Sequence, residues 1–188
     1  MILVFIITFC AIIALGFGAL AAWSDVNSLT IPNSFSVAIG ASFLVAFLLA
    51  LVFAPETFFF ASWKNHLLSG VIVFSLTFGL FHFKMIGGGD SKLLSVYALW
   101  VGLGGLMPLL FFMAIAGGVM GGLTLLLNKK QLFKKPVQGG WIEAAQAGQK
   151  KVPYAVAILI GAVVAFWQTG FISPQELVSL INEGGVSS

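Results

Sequence analysis

This chain predicts an all-α protein of about six membrane-crossing helices, and three observations predict it. The 188 residues are 60% hydrophobic and only 8% charged, with a mean hydropathy of +1.08. A soluble domain carries about a quarter charged residues, so this chain cannot clothe a water-facing surface and its solvent is mostly lipid. The few charges are clustered, leaving long uncharged runs between them. Those runs are continuous rather than alternating, which favours helices over a barrel.

A spanning helix needs about 20 apolar residues. Residues 1–24 carry no Lys, Arg, Asp or Glu and allow a first span near 1–23. The polar, turn-rich stretch Asn27-Ser28-Leu29-Thr30-Ile31-Pro32-Asn33 follows, so a second span is expected near 35–54. A third fits 66–83. The uncharged run 93–128 is long enough for two short spans, near 93–106 and 109–127, and Gly102, Gly104, Gly105 and Pro108 supply the breakers between them. A re-entrant helix plus one full span would also fit that run and give five spans in all. The last span is expected near 152–172, ended by Ser173-Pro174. Residues 1–175 thus read as one membrane domain, and 176–188 as a polar tail.

Six spans put the loops at 24–34, 84–92 and 128–151 on one side, with Lys84, Lys92, Lys129, Lys130, Lys134, Lys135, Lys150 and Lys151. The other side, with both termini, holds Lys64 alone. Eight lysines against one makes the lysine-rich side cytoplasmic and turns both termini outward. The chain is then a multi-pass protein of the inner (cytoplasmic) membrane. The lysine pairs of the loop 128–151 suit contact with anionic lipid headgroups.

Several classes are excluded. The nine lysines are not interleaved with aromatic residues on one face, so nucleic acid is not an expected partner. Cys10 is the sole cysteine, which leaves no disulfide framework and no thiolate zinc site. No metal and no organic cofactor is expected. No basic residue precedes the first apolar run, which argues against a cleaved signal peptide.

The chain has only two aspartates, and both fall where a span meets water on the lysine-rich side: Asp25 in Trp23-Ser24-Asp25 and Asp90 in Gly87-Gly88-Gly89-Asp90. Ionisable groups at the edge of a span are costly and usually functional. Taken alone, Asp25 reads as a residue of a polar turn, and Asp90 equally as an N-cap for a helix starting near Ser91. Three consecutive glycines shift the balance at Asp90. They admit positive φ, let another backbone approach, and leave room beside the carboxylate for an extended peptide. A phosphate-cradling loop would need a following Gly-Lys-Ser/Thr, which is missing.

Gly87-Gly88-Gly89-Asp90 resembles the Gly-x-Gly-Asp signature of intramembrane aspartyl proteases. Gly88-Gly89-Asp90-Ser91-Lys92-Leu93-Leu94 is similar to the second catalytic segment of type IV prepilin peptidases. Asp25-Val26-Asn27-Ser28-Leu29-Thr30-Ile31-Pro32-Asn33 resembles their first, and Lys151-Val152-Pro153-Tyr154-Ala155 the segment opening their last helix. The resemblance implies Asp25 and Asp90 as the catalytic pair and Gly87, Gly88 and Gly89 as the active-site loop. Ile31, Pro32, Asn33, Lys92, Pro153 and Tyr154 would be supporting residues. It implies removal of leader peptides from prepilins or pseudopilins at the cytoplasmic membrane face, for pilus assembly or secretion. The resemblance is to the short, peptidase-only members of tight-adherence (Flp) pilus systems, so no N-methyltransferase domain is expected. Ser91 and Ala155 stand where many relatives have other small residues, and neither is expected to touch the acid–base chemistry.

Two carboxylates held together cannot both ionise cheaply and so share a proton. The ionised one would take a proton from water, and the protonated one would polarise the scissile carbonyl. His66 and His82, at opposite ends of the third span, read as packing residues. Gly117, Gly118, Gly121 and Gly122 read as a close-packing face. Two other classes compete: a transporter or proton relay, which predicts acids nearer mid-span and an internal repeat, and a structural subunit of a secretion complex, in which both aspartates are caps.

Overall fold

The computed structural model describes residues 2–53, 63–130 and 133–172. It contains six helices, α1 (Ile2–Ser28), α2 (Asn33–Phe53), α3 (Trp63–His82), α4 (Gly88–Lys129), α5 (Trp141–Gln146) and α6 (Tyr154–Gln168), and no strand among the described residues. The fold is all-α and polytopic. Four of the helices, α1 to α4, are long and apolar enough to cross a membrane, and α6 is a shorter apolar helix of 15 residues. The polar tail expected at 176–188 lies outside the described residues.

Helix α4 is two arms rather than one rod. Gly102 breaks its helical backbone at φ 63°, ψ −173°, a conformation open essentially to glycine alone. Along the second arm, Gly105 meets Thr169, Gly161 packs on the Leu109 carbonyl and Met113, and Gly117 meets Tyr154. Rising residue numbers in α4 therefore meet falling numbers in α6, and Gly117 lands beside the start of α6. Asp25 of α1 also contacts that start, through Ala155. The first arm runs away from Asp90, the second returns toward it, and the chain reverses at Gly102. The first arm, residues 88–101, is about 21 Å long at 1.5 Å per residue.

Carbonyls at the end of a helical arm lose their partners, and the bend supplies replacements. His66 Nδ1 donates to the Leu99 carbonyl at 3.0 Å, which fixes the proton on that nitrogen. The His66 ring also fills the space above Gly102, where a Cβ would stand 3.2 Å from it. An aromatic core closes this end. Trp100, Phe166 and Phe171 are buried with ring centroids 5.3–5.5 Å apart.

The packed face of α1 is built from small residues. Ile7, Ala11, Ala14, Gly18 and Ala21 recur at alternating steps of four and three, and Asp25 is the next member of that series. Small residues let helices approach closely. At Gly18 the approach is closest, because any Cβ there would collide with the Tyr97 hydroxyl, which itself donates to the Ala14 carbonyl at 2.9 Å. The last acid of α1 thus faces the bundle rather than lipid.

Four local expectations are corrected. Helix α1 continues five residues past Trp23, because Asn27 and Ser28 fold their side chains back onto the Trp23 and Ser24 carbonyls at 2.8 Å and let the helix run through a polar stretch. Helix α4 starts at Gly88 rather than near Ser91. Part of the loop 128–151 folds into α5, whose Trp141 donates to Thr124 Oγ1 of α4 at 2.9 Å. Of the glycines at 117–122, only Gly117 has a neighbour within 4 Å of a built Cβ, so close packing accounts for it and not for Gly118, Gly121 or Gly122.

Candidate active site

Asp25 and Asp90 open into the same cavity. That cavity, of about 750 Å³, lies at the lysine-rich end, and the two carboxylates are close enough for the charge on one to act on the other. Asp25 is 6% exposed, in the last turn of α1. Its Oδ2 accepts the Ala155 N–H at 3.0 Å, from the first turn of α6. Asp90 is the third residue of α4, with its carboxylate Oδ2 beside Gly87, the residue that caps its own helix. The other oxygen, Oδ1, is buried with no hydrogen-bond partner among the described residues. A carboxylate serving only as a cap has no need of a buried, unpartnered oxygen beside a second carboxylate.

The three glycines act through space and not through φ. None has positive φ, although glycine would permit it. A Cβ on Gly87 would sit 2.7 Å from Asp90 Oδ2, one on Gly88 3.2 Å from the Phe81 ring, and one on Gly89 2.9 Å from Ile31 Cβ. Gly87 keeps the carboxylate clear. Gly89 lets the start of α4 lie on the Ile31-Pro32-Asn33 segment. The left-handed positions are instead Leu29 (φ 51°) and Lys84 (φ 58°), and both line the cavity. Leu29 closes α1 by donating to the Asp25 carbonyl at 2.9 Å. Lys84 closes α3 in a Schellman pair, Lys84 N–H to Phe81 and Met85 N–H to Leu80.

The supporting residues divide. Asn33 and Lys92 tie the two aspartate segments together, Lys92 Nζ donating to Asn33 Oδ1 at 2.9 Å on the exposed surface. Ile31 packs under Gly89. Pro32 is exposed and precedes α2. Pro153 is fully buried and caps α6, and Tyr154 lines the cavity wall. Ser91 points away, donating to Thr77 Oγ1 at 2.7 Å. Ala155 does touch one of the two aspartates, contrary to expectation, because its backbone N–H donates to Asp25 Oδ2. His82 lies on the cavity wall, whereas His66 supports the bend at the opposite end. Sequence reasoning also missed Lys84, Lys150 and Lys151 as cavity residues. Their signal was available, since each sits next to a segment already singled out. Among the described residues, no cluster of three or more His, Cys, Asp or Glu is arranged to hold a metal ion.

A bundle of long apolar helices with two carboxylates lining one cavity at the helix ends defines the class: a multi-pass membrane protein with paired acids. Residues 10–122 match the model of the type IV leader peptidase family, and the chain belongs to that family. The match includes both aspartates and stops short of α6. Neither the curated proteins nor the solved structures give a match. The chain is accordingly a membrane peptidase of the type IV leader peptidase kind.

Proposed function

We propose that this chain is an intramembrane aspartyl endopeptidase, with Asp25 and Asp90 as its catalytic pair, that removes the leader from prepilin-like or pseudopilin substrates. The observation that carries the reading is the convergence of the only two aspartates, 65 residues apart in sequence (90 − 25), on one cavity at the lysine-rich end. One carboxylate activates water and the other polarises the scissile carbonyl, sharing one proton between them. The cavity sits at the ends of α1 and α3, not at mid-helix, so the bond cut is one at the border of the substrate's apolar helix. Lysine counting supports a cytoplasmic placement of this border in the inner membrane. Pilus assembly of the tight-adherence (Flp) kind, or a related secretion machine, is the proposed setting.

Co-expression with a prepilin tests the reading. Wild-type chain is expected to shorten the prepilin by its leader, and Asp25→Ala and Asp90→Ala to insert in the membrane and leave the prepilin intact. Normal processing by either variant would sink the dyad. The S28C variant, in a Cys10→Ala background, tests the sidedness, since position 28 should react with an impermeant thiol reagent from the cytoplasmic side only.

A further inference from the structure

We propose that the backbone N–H of Ala155 is a positioning group of the active site, setting the orientation of the Asp25 carboxylate from the start of α6. The consequence for catalysis rests on the peptidase reading above; the contact itself does not.

Asp25 sits in the last turn of α1, where terminal carbonyls lack partners and the helix end carries partial negative charge. Its own helix therefore offers it no donor and an unfavourable field. The start of α6 offers the reverse: amides without intrahelical partners and partial positive charge. The two helix ends meet at the Ala155 N–H and Asp25 Oδ2, 3.0 Å apart and buried, across 130 residues of sequence. The amide is firmly placed. Pro153 before it is fully buried with φ −75°, and Ala155 itself is 0% exposed.

The two carboxylates differ in how they are held. Asp90 lies against Gly87, three residues away in its own chain segment, and so is placed locally. Asp25 takes its donor from a distant helix, so the geometry of the pair depends on where α6 begins. The chain leading into α6 is also cavity wall, because Lys150, Lys151, Val152 and Tyr154 line the space into which the aspartates open. The region matched by the family model ends at residue 122. The site is completed by a segment beyond it, and by an atom that carries no side-chain signal.

Replacing the residue 155 amide by an ester in the full-length chain (lactic acid in place of alanine) deletes this one donor and little else. Two readouts decide. In a thermal double-mutant cycle in detergent, the ester is expected to lower Tm by about 2–4 °C when Asp25 is present and not in the Asp25→Ala background. With a prepilin peptide as substrate, kcat is expected to fall at least about tenfold with KM unchanged. An ester effect on Tm that is the same in both backgrounds overturns the contact. Tm coupling with an unchanged kcat makes Ala155 a helix-end cap only and overturns the positioning role. A wild-type chain that cleaves no prepilin sinks the peptidase reading and this role with it, and that control separates the two failures.

Discussion

The two ends of the bundle are built on opposite principles. At the Gly102 end, large aromatic side chains fill the space between helices, His66 donates to the Leu99 carbonyl at the bend, and Trp100 Nε1 donates to the Ile39 carbonyl of α2 at 3.2 Å, while Ser69 Oγ, three residues past His66, has no hydrogen-bond partner among the described residues. At the aspartate end, the same helices diverge around an open cavity, one carboxylate oxygen is left without a partner, and two non-glycine residues, Leu29 and Lys84, hold left-handed backbone. Local strain and unsatisfied groups persist only where the surroundings over-determine them. The packed end supplies that rigidity, and the open end uses it. The contrast makes a separable prediction for each end: substitutions at the bend should cost stability first, and substitutions at the cavity should cost activity first.

The largest expected effect is at the cavity. Asp90→Asn keeps the shape of the side chain and removes its ability to exchange a proton. A positioned acid–base group contributes about 10²–10⁴-fold in rate, so prepilin cleavage in purified enzyme should fall by that order while Tm changes little or rises. A large loss of folded protein on this substitution would move Asp90 from the active end to the structural one. Trp100→Ala is the counterpart at the bend. A fully buried Trp that touches Phe43, Phe166 and Phe171 should cost about 3–5 kcal/mol when truncated. Thermal melting in detergent checks it, and the protein that remains folded should cleave at a near-normal rate per molecule.

Two glycines sharpen the same contrast with smaller changes. Gly102→Ala forces a Cβ into a conformation that costs a non-glycine residue about 1–3 kcal/mol and pushes it toward the His66 ring. Stability should fall and activity per folded molecule should not. Gly89→Ala drives a Cβ to 2.9 Å from Ile31 Cβ, a branched carbon that cannot swing aside. The start of α4 must then move off the Ile31-Pro32-Asn33 segment, carrying Asp90 with it. A displacement of that kind should lower kcat severalfold or more with a smaller change in Tm. The reverse pattern for the pair would dissolve the distinction between the two ends.

How much of this was legible in the sequence depends on whether the signal sits in side chains. The helical class and the glycine break in 93–128 follow from apolar length and composition, and the two aspartates as the candidate pair from the resemblance of their segments to those of type IV prepilin peptidases. The inward orientation of Asp25 was also legible, because the small residues Ala11, Ala14, Gly18 and Ala21 keep the period of one helix face and Asp25 continues it. The end of α1 was not. Polar residues that normally stop a span instead prolong the helix by bonding to its own carbonyls, a choice settled by local geometry. Helix α5 has six residues, too few for a periodic signal, and owes its place to Trp141 packing on Leu127 beside Thr124. Positive φ fell on Leu29 and Lys84 rather than on the glycine triplet, because both residues close helices whose ends are fixed by the cavity they border. The Ala155 amide left no trace at all, since a backbone donor looks the same under any residue but proline.

The smallest expected effect tests how tightly the two aspartate segments are coupled. Among the described residues, the Lys92–Asn33 hydrogen bond is the one polar side-chain tie between them, 2.9 Å long and exposed. Exposed ties of this kind contribute about 0.2–1 kcal/mol, too little to hold the fold together. If its role is to keep the Ile31-Pro32-Asn33 segment seated against Gly89, then Lys92→Met, which keeps the aliphatic stem, should lower kcat a fewfold and leave Tm within about 1 °C of wild type. Asn33→Ala should do the same, and the two together should cost no more than either alone, since each deletes the same bond. Fully additive losses would mean that Lys92 acts elsewhere, on lipid headgroups or on the substrate, and that the cavity end is held by apolar contact between Gly89 and Ile31 alone.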